Sequence, residues 1–162
     1  GETRILDLNG YTLASADPTT SSTIEMKGTL TIRDGSEEKT GLIDGYRFEI
    51  SNNAVLTLES GTIQRIGAGG AGGAVNIYTA TFNMTGGTIV ANAASGGGVY
   101  LSGSGSKFNM SGGEISGCTA TSSGGGVYMS NGVFTMSGGQ ISGCTAAASP
   151  CWPSCCWPFS LG

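Results

Sequence analysis

Phe82, Phe108 and Phe134 stand 26 residues apart, as do Met84, Met110 and Met136, and Ile89, Ile115 and Ile141. A fixed period of this size marks stacked supersecondary units in which each unit buries its apolar face against the next. Between Gly96 and Ala146 the unit repeats almost unchanged, as GGGVYLS and FNMSGGEISGCTA and then as GGGVYMS and FTMSGGQISGCTA. The same register runs backwards from Phe82 to Leu56 and Leu30, from Met84 to Leu58 and Ile32, and from Ile89 to Ile63. At the next step the Ile column meets a polar insertion, Asp34 to Thr40, and loops absorb insertions that strands cannot.

Within one unit the alternation of apolar and polar residues predicts three short strands, Val99 to Leu101, Lys107 to Met110 and Glu114 to Ser116, separated by Gly/Ser turns. Val99, Leu101, Phe108, Met110 and Ile115 then face inward, and Tyr100, Asn109 and Glu114 face out. Three strands and three bends close one coil. Equivalent strands of successive coils pair in parallel, so each inward side chain lies about 4.8 Å above its counterpart. Val75, Val99 and Val127 make a further inward column. The expected fold is all-β, a right-handed parallel β-helix of about six coils, roughly 26 residues and three short strands per coil. Such a rod is roughly 24 Å from first rung to last.

The expected domain spans 1–149, with an N-terminal coil and cap in 1–29 and repeat coils in 30–149. Residues 150–162 break the pattern: they hold both tryptophans, three of the four prolines and three of the five cysteines. A cap over the last coil or a truncated end fits that tail better than a metal site, since its cysteine spacing makes no zinc pair. An uncapped last coil would leave apolar residues and strand edges bare, and self-association through the end coils is an expectation on that ground.

The 162 residues include 30 glycines but only 11% charged residues, with a net charge of −4. Seven scattered Lys and Arg give no basic stripe, so nucleic acid is not an expected partner. No apolar run is long enough to span a bilayer, and membrane insertion of this segment is not expected. The chain opens without a charged and then apolar leader, so any signal peptide is expected to have been removed or never to have been part of this sequence. No phosphate-loop motif, calcium nonapeptide or histidine occurs, and neither a metal nor a cofactor is expected.

Apart from Lys107 and Glu114, every charged residue lies at or before Arg65. The acid and base groups that a polysaccharide lyase or hydrolase needs must therefore come from Asp34, Glu37, Glu38, Asp44, Glu49 and Glu59. Arg33 and Glu59, one coil apart, read instead as a surface pair, and no catalytic residue is assigned. Tyr100 and Tyr128 share an outward column, either as a platform for a sugar ring or as a stacked pair covering the sheet. Asn83, Asn109 and Thr135 continue a polar column begun by Thr31 and Thr57, either a glycan-binding array or an ordinary ladder. Cys118 and Cys144 extend the 26-residue register from Ile66 and Asn92, either as a disulfide or as stacked thiols.

The segments GGAV at 72–75 and GGGVY at 96–100 and 124–128, each followed by Phe-x-Met-x-Gly-Gly-x-Ile, resemble the repeats of bacterial right-handed β-helix surface proteins. The opening DLNGYTL at 7–13 is similar to the first coil of such proteins. A more distant similarity is to the chlamydial polymorphic membrane proteins, which are adhesins. The resemblance covers about residues 4 to 146 and implies a bacterial, secreted or cell-surface, adhesin-like stalk that contacts glycans or a host surface. It carries no catalytic residues. A fragment of a carbohydrate-active β-helix enzyme is the alternative.

Overall fold

A computed structural model describes residues 3–16, 22–66 and 72–147. The expected tail at 150–162 and part of the N-terminal cap lie outside the described residues. In chain order the strands are β1 (Thr3–Asp7), β2 (Thr12–Ala14), β3 (Ser22–Met26), β4 (Thr29–Arg33), β5 (Leu42–Asp44), β6 (Tyr46–Ser51), β7 (Val55–Leu58), β8 (Thr62–Arg65) and β9 (Val75–Tyr78). They continue as β10 (Thr81–Met84), β11 (Thr88–Ala93), β12 (Val99–Leu101), β13 (Lys107–Ser116), β14 (Thr119–Ala120), β15 (Val127–Met129), β16 (Val133–Ser142) and β17 (Thr145–Ala146).

All the strand pairs are parallel, and each strand pairs with its equivalent one coil away. The result is a parallel β-solenoid of about five turns, as the repeat predicts. One column of strands, β1-β4-β7-β10-β13-β16, has six rungs and so spans those five turns. The strands β3, β6, β9, β12 and β15 form a separate five-stranded sheet on another side of the rod.

The inward columns follow the sequence register. Leu30, Leu56, Phe82, Phe108 and Phe134 pair in succession, as do Ile32, Leu58, Met84, Met110 and Met136. The Ile column survives the insertion at Asp34 to Thr40, because β5 rejoins the ladder and Ile43 pairs with Ile63. Phe82, Phe108 and Phe134 stack with ring centroids 5.0 and 4.8 Å apart. Each offset aromatic pair adds about 0.5–1.5 kcal/mol to the burial of its rings.

Two corners explain the glycines. The second Gly of each Gly-Gly turn takes a left-handed conformation, φ +81° at Gly113 and +83° at Gly139, which lets the chain bend between two inward-facing stretches. In the last two coils this bend lies inside one ten-residue strand, so the expected second and third strands are continuous there, joined through a bulge. At the Gly-Gly-Gly corner the constraint is space: a Cβ on Gly97 would run into the Gly125 carbonyl oxygen of the next coil. Gly97→Ala should therefore cost about 3 kcal/mol or more, the overpacking range for a site with no room. Gly28, whose Cβ would meet nothing within 4 Å, is the control, and Gly28→Ala should be neutral or stabilising by up to about 1 kcal/mol. Denaturant midpoints of the two variants measure the difference.

Candidate functional site

The chemically distinct side chains fall into three places. The first is the corner around Asp34, where most of the candidate acids were expected. Asp34 is buried, and its carboxylate accepts hydrogen bonds from Gly41 N at 2.5 Å, Gly10 N at 2.7 Å, Ser36 Oγ at 2.8 Å and Ser36 N at 3.1 Å. Its own carbonyl accepts from Lys39 Nζ at 2.7 Å, so both halves of the residue hold the inserted loop to the first coil. Burial pushes the carboxyl up, but the bonds from Gly41, Ser36 and Gly10 together outweigh it and hold the group at about 2. A buried carboxylate that accepts four bonds and is held ionised by them is poorly placed for general acid or base work.

Asp7 plays a similar part beside it. The amide of Gly35 and the Arg33 side chain bond to its carboxylate, at 2.7 Å and 2.9 Å, and lower its pKa. The expected surface pair of Arg33 with Glu59 is thus corrected: the guanidinium turns to Asp7, one coil toward the N-terminus, whose carboxylate the Gly35 amide and a third bond, from the Asn9 amide, also hold. The other acids are dispersed. Glu37 and Glu38 are exposed on the loop, Asp44 accepts from Gln64, Glu49 pairs with Arg47 on the five-stranded sheet, and Glu59 is exposed at the end of β7.

The second place is the inward column at the end of the third side. Cys118 does not stand over Asn92, as a uniform period predicts. Thr119 takes that partner, because Gly117, at φ +60°, adds one residue to the coil. Cys118 instead follows Ala91 and Arg65 in a buried column that continues to Cys144. The two cysteines are free thiols, the stacked arrangement rather than the disulfide. A hydrogen bond to Cys144, with burial, holds the Cys118 thiol protonated, and accepting that bond lowers Cys144. Arg65 is fully buried, with Nη1 3.2 Å from Gly72 O and 3.4 Å from Gly73 O, and burial, reinforced by nearby Arg47, lowers its pKa. Sequence reading passed over Arg65; its place two residues after the inward Ile63 was the available signal.

The third place is the outward surface, where the two polar columns fall on different sheets. Tyr100 and Tyr128 lie on β12 and β15 of the five-stranded sheet, stacked at 5.4 Å with their planes 2° apart. Asn83, Asn109 and Thr135 lie on β10, β13 and β16 of the other sheet, where Asn109 Nδ2 donates to Asn83 Oδ1 at 2.9 Å. Asn76 is the register partner of Tyr100 and stands between it and Glu49 of the preceding coil, and Tyr78 stands two residues on along the same face, 60% exposed. The Val75–Val99 column already puts Asn76 beside Tyr100, but neither Asn76 nor Tyr78 repeats the tyrosine of the later coils and neither was singled out. Asn76 Oδ1 is buried and has no hydrogen-bond partner among the described residues.

Among the described residues no group of three or more His, Cys, Asp or Glu is placed to hold a metal ion, and no helix is long and apolar enough to cross a membrane. Comparison of the chain with protein-family models, with curated proteins and with solved structures finds no match in any of the three.

Because Asp34 has a folded pKa below its ordinary value of 3.8, its contribution to stability is present above that value. It is lost as the pH falls through about 2. Circular dichroism during acid titration should show the wild type losing stability across this window, and Asp34→Asn should be less stable at neutral pH with a flatter acid limb. An unchanged limb in the variant would show that other carboxylates govern it.

Proposed function

We propose that this chain is a non-catalytic β-helix module of a bacterial secreted or cell-surface protein, a stiff spacer whose outward face binds glycans or a host surface. The observation that carries the reading is the aromatic and amide face formed by Asn76, Tyr78, Tyr100 and Tyr128. No charged residue follows Glu114, and those four lie in coils where charge is nearly absent. An uncharged surface of phenols and amides suits sugars, whose hydroxyls need hydrogen-bond partners and whose C–H faces pack on aromatic rings.

The stacking refines which group does what. Tyr100 and Tyr128 turn one ring face toward each other along the rod, which leaves them mainly ring edges and hydroxyls on the outward side. Tyr78 has the more exposed ring and is the better support for a sugar face, diagonal to Tyr100 at about the 7–8 Å of such neighbours. The Asn76 side chain lies beside Tyr100 with its amide oxygen buried, so it backs the face rather than offering an acceptor to the ligand. The Asn83–Asn109 ladder, already bonded to itself, contributes to cohesion between coils more than to binding. The enzyme alternative has little to support it, since Asp34 is committed to the loop and the remaining acids are scattered over different sides.

Glycan-array and host-cell binding by the purified chain measures this. Tyr78→Ala should lower binding about tenfold or more, the loss of one well-packed aromatic contact of about 1.5 kcal/mol, and Tyr100→Ala with Tyr128→Ala should add to it. Binding that is unaffected by all three changes would remove this face from the proposal, and cleavage of a polysaccharide by the wild type would replace it with the enzyme.

A further inference from the structure

The two ends of the rod differ in a way that selects a partner. At the N-terminal rung Arg4 occupies the inward column that Leu30, Leu56 and the three Phe residues fill above it. An opening of about 720 Å³ at this end is lined by Arg4, Glu25 and Lys27 beside Ile24, Met26 and Leu30. Inward-pointing charge on an edge coil is a recognised way of blocking strand addition. Among the described residues the C-terminal rung has no such device: the segment from Val127 to Ala147 contains no charged residue and no proline. Its inward Phe134, Met136 and Ile141 are only partly buried, and outward Val133 is 57% exposed.

The hydrogen-bond pattern sharpens the contrast. Thr81, Lys107 and Val133, the first residues of β10, β13 and β16, each send their N–H back to the preceding coil. In a parallel ladder the alternate residues bond to the opposite neighbour. Phe134 and Met136 therefore direct their N–H and C=O groups to the open side of β16, which pairs with β13 alone among the described residues. A ten-residue strand that is uncharged, without proline and open along one edge has the properties of a pairing template.

We infer that the C-terminal coil docks on the C-terminal coil of a second copy, with β16 antiparallel to β16 of that copy about a two-fold axis. The occupant follows from the chemistry of the two ends. Head-to-tail stacking would place Arg4 and its charged neighbours over the apolar Phe134 and Met136, burying charge without a partner. End-to-end pairing of two C-terminal coils instead continues the coil-to-coil contact already made four times within each chain's phenylalanine and leucine column, apolar on apolar. A two-fold contact also closes on itself, so assembly stops at two and does not run on into fibres.

Light scattering coupled to size exclusion, on the full chain from micromolar concentration upward, tests this. The expected result is twice the monomer mass with no larger species. In Val133→Lys/Thr135→Lys, two outward positions of β16, like charges meet across the two-fold and the mass should halve while the circular dichroism stays the same. Monomer at every concentration, open-ended larger species, or a dimer indifferent to the two lysines would each overturn the inference. If the double variant fails to fold, amide exchange on the unchanged chain decides: the Phe134 and Met136 amides should exchange more slowly as concentration rises. Exchange independent of concentration would overturn it.

Discussion

Parallel pairing of identical positions in successive coils is the constraint on which everything else in this molecule depends. Each inward residue is stacked on its own equivalent, so the core is a set of columns, and a column tolerates only side chains of similar size. Phe82, Phe108 and Phe134 stack ring on ring, and Met84, Met110 and Met136 run alongside. The stability of such a rod is close to a sum over coils and the contacts between them. The chain can therefore be rich in glycine and poor in charge and still fold, because neither bulk composition nor helix propensity has to hold it together.

The charged first half meets a different need. The insertion between β4 and β5 would leave a polar loop hanging from the rod. The Asp34 carboxylate draws that loop in through the Gly41 and Ser36 amides and ties it to Gly10 of the first coil. Asp34, first among the acids considered for catalysis, is thus a fastener of an irregular corner. Electrostatics concentrates where regular stacking lapses and is nearly absent where stacking is most regular.

The columns of Phe, Met, Ile and Val were legible in the sequence because a parallel ladder copies sequence spacing directly into space. What was not legible involved either a change in spacing or a choice among partners. Gly117 adds one residue to a coil and moves Cys118 from above Asn92 to above Ala91; a uniform period cannot reveal a bulge. The register of Val75 with Val99 already placed Asn76 beside Tyr100, but an asparagine where the later coils carry tyrosine did not mark the face. Arg33 had acids within reach on both neighbouring coils, and a third group, the Gly35 amide, decided for Asp7. Alternation along a strand separates inside from outside, but does not say which side of the rod an outward residue occupies.

The near-identity of the coils from Gly96 to Ala120 and from Gly124 to Ala146 has a consequence for how the chain finds its fold. To β10, β13 and β16 present almost the same face: Phe, Met and then Ile at the same intervals. Inward packing alone cannot tell the correct neighbour from the one after it. The decision falls to the connecting loops, above all 102–106, where buried Ser106 Oγ accepts from the amides of Thr79 and Gly103 and donates to the Ile77 carbonyl. That serine has no counterpart in the same role on the next coil, where Asn131 and Gly132 stand. A single hydroxyl serves as the address of one coil among look-alikes.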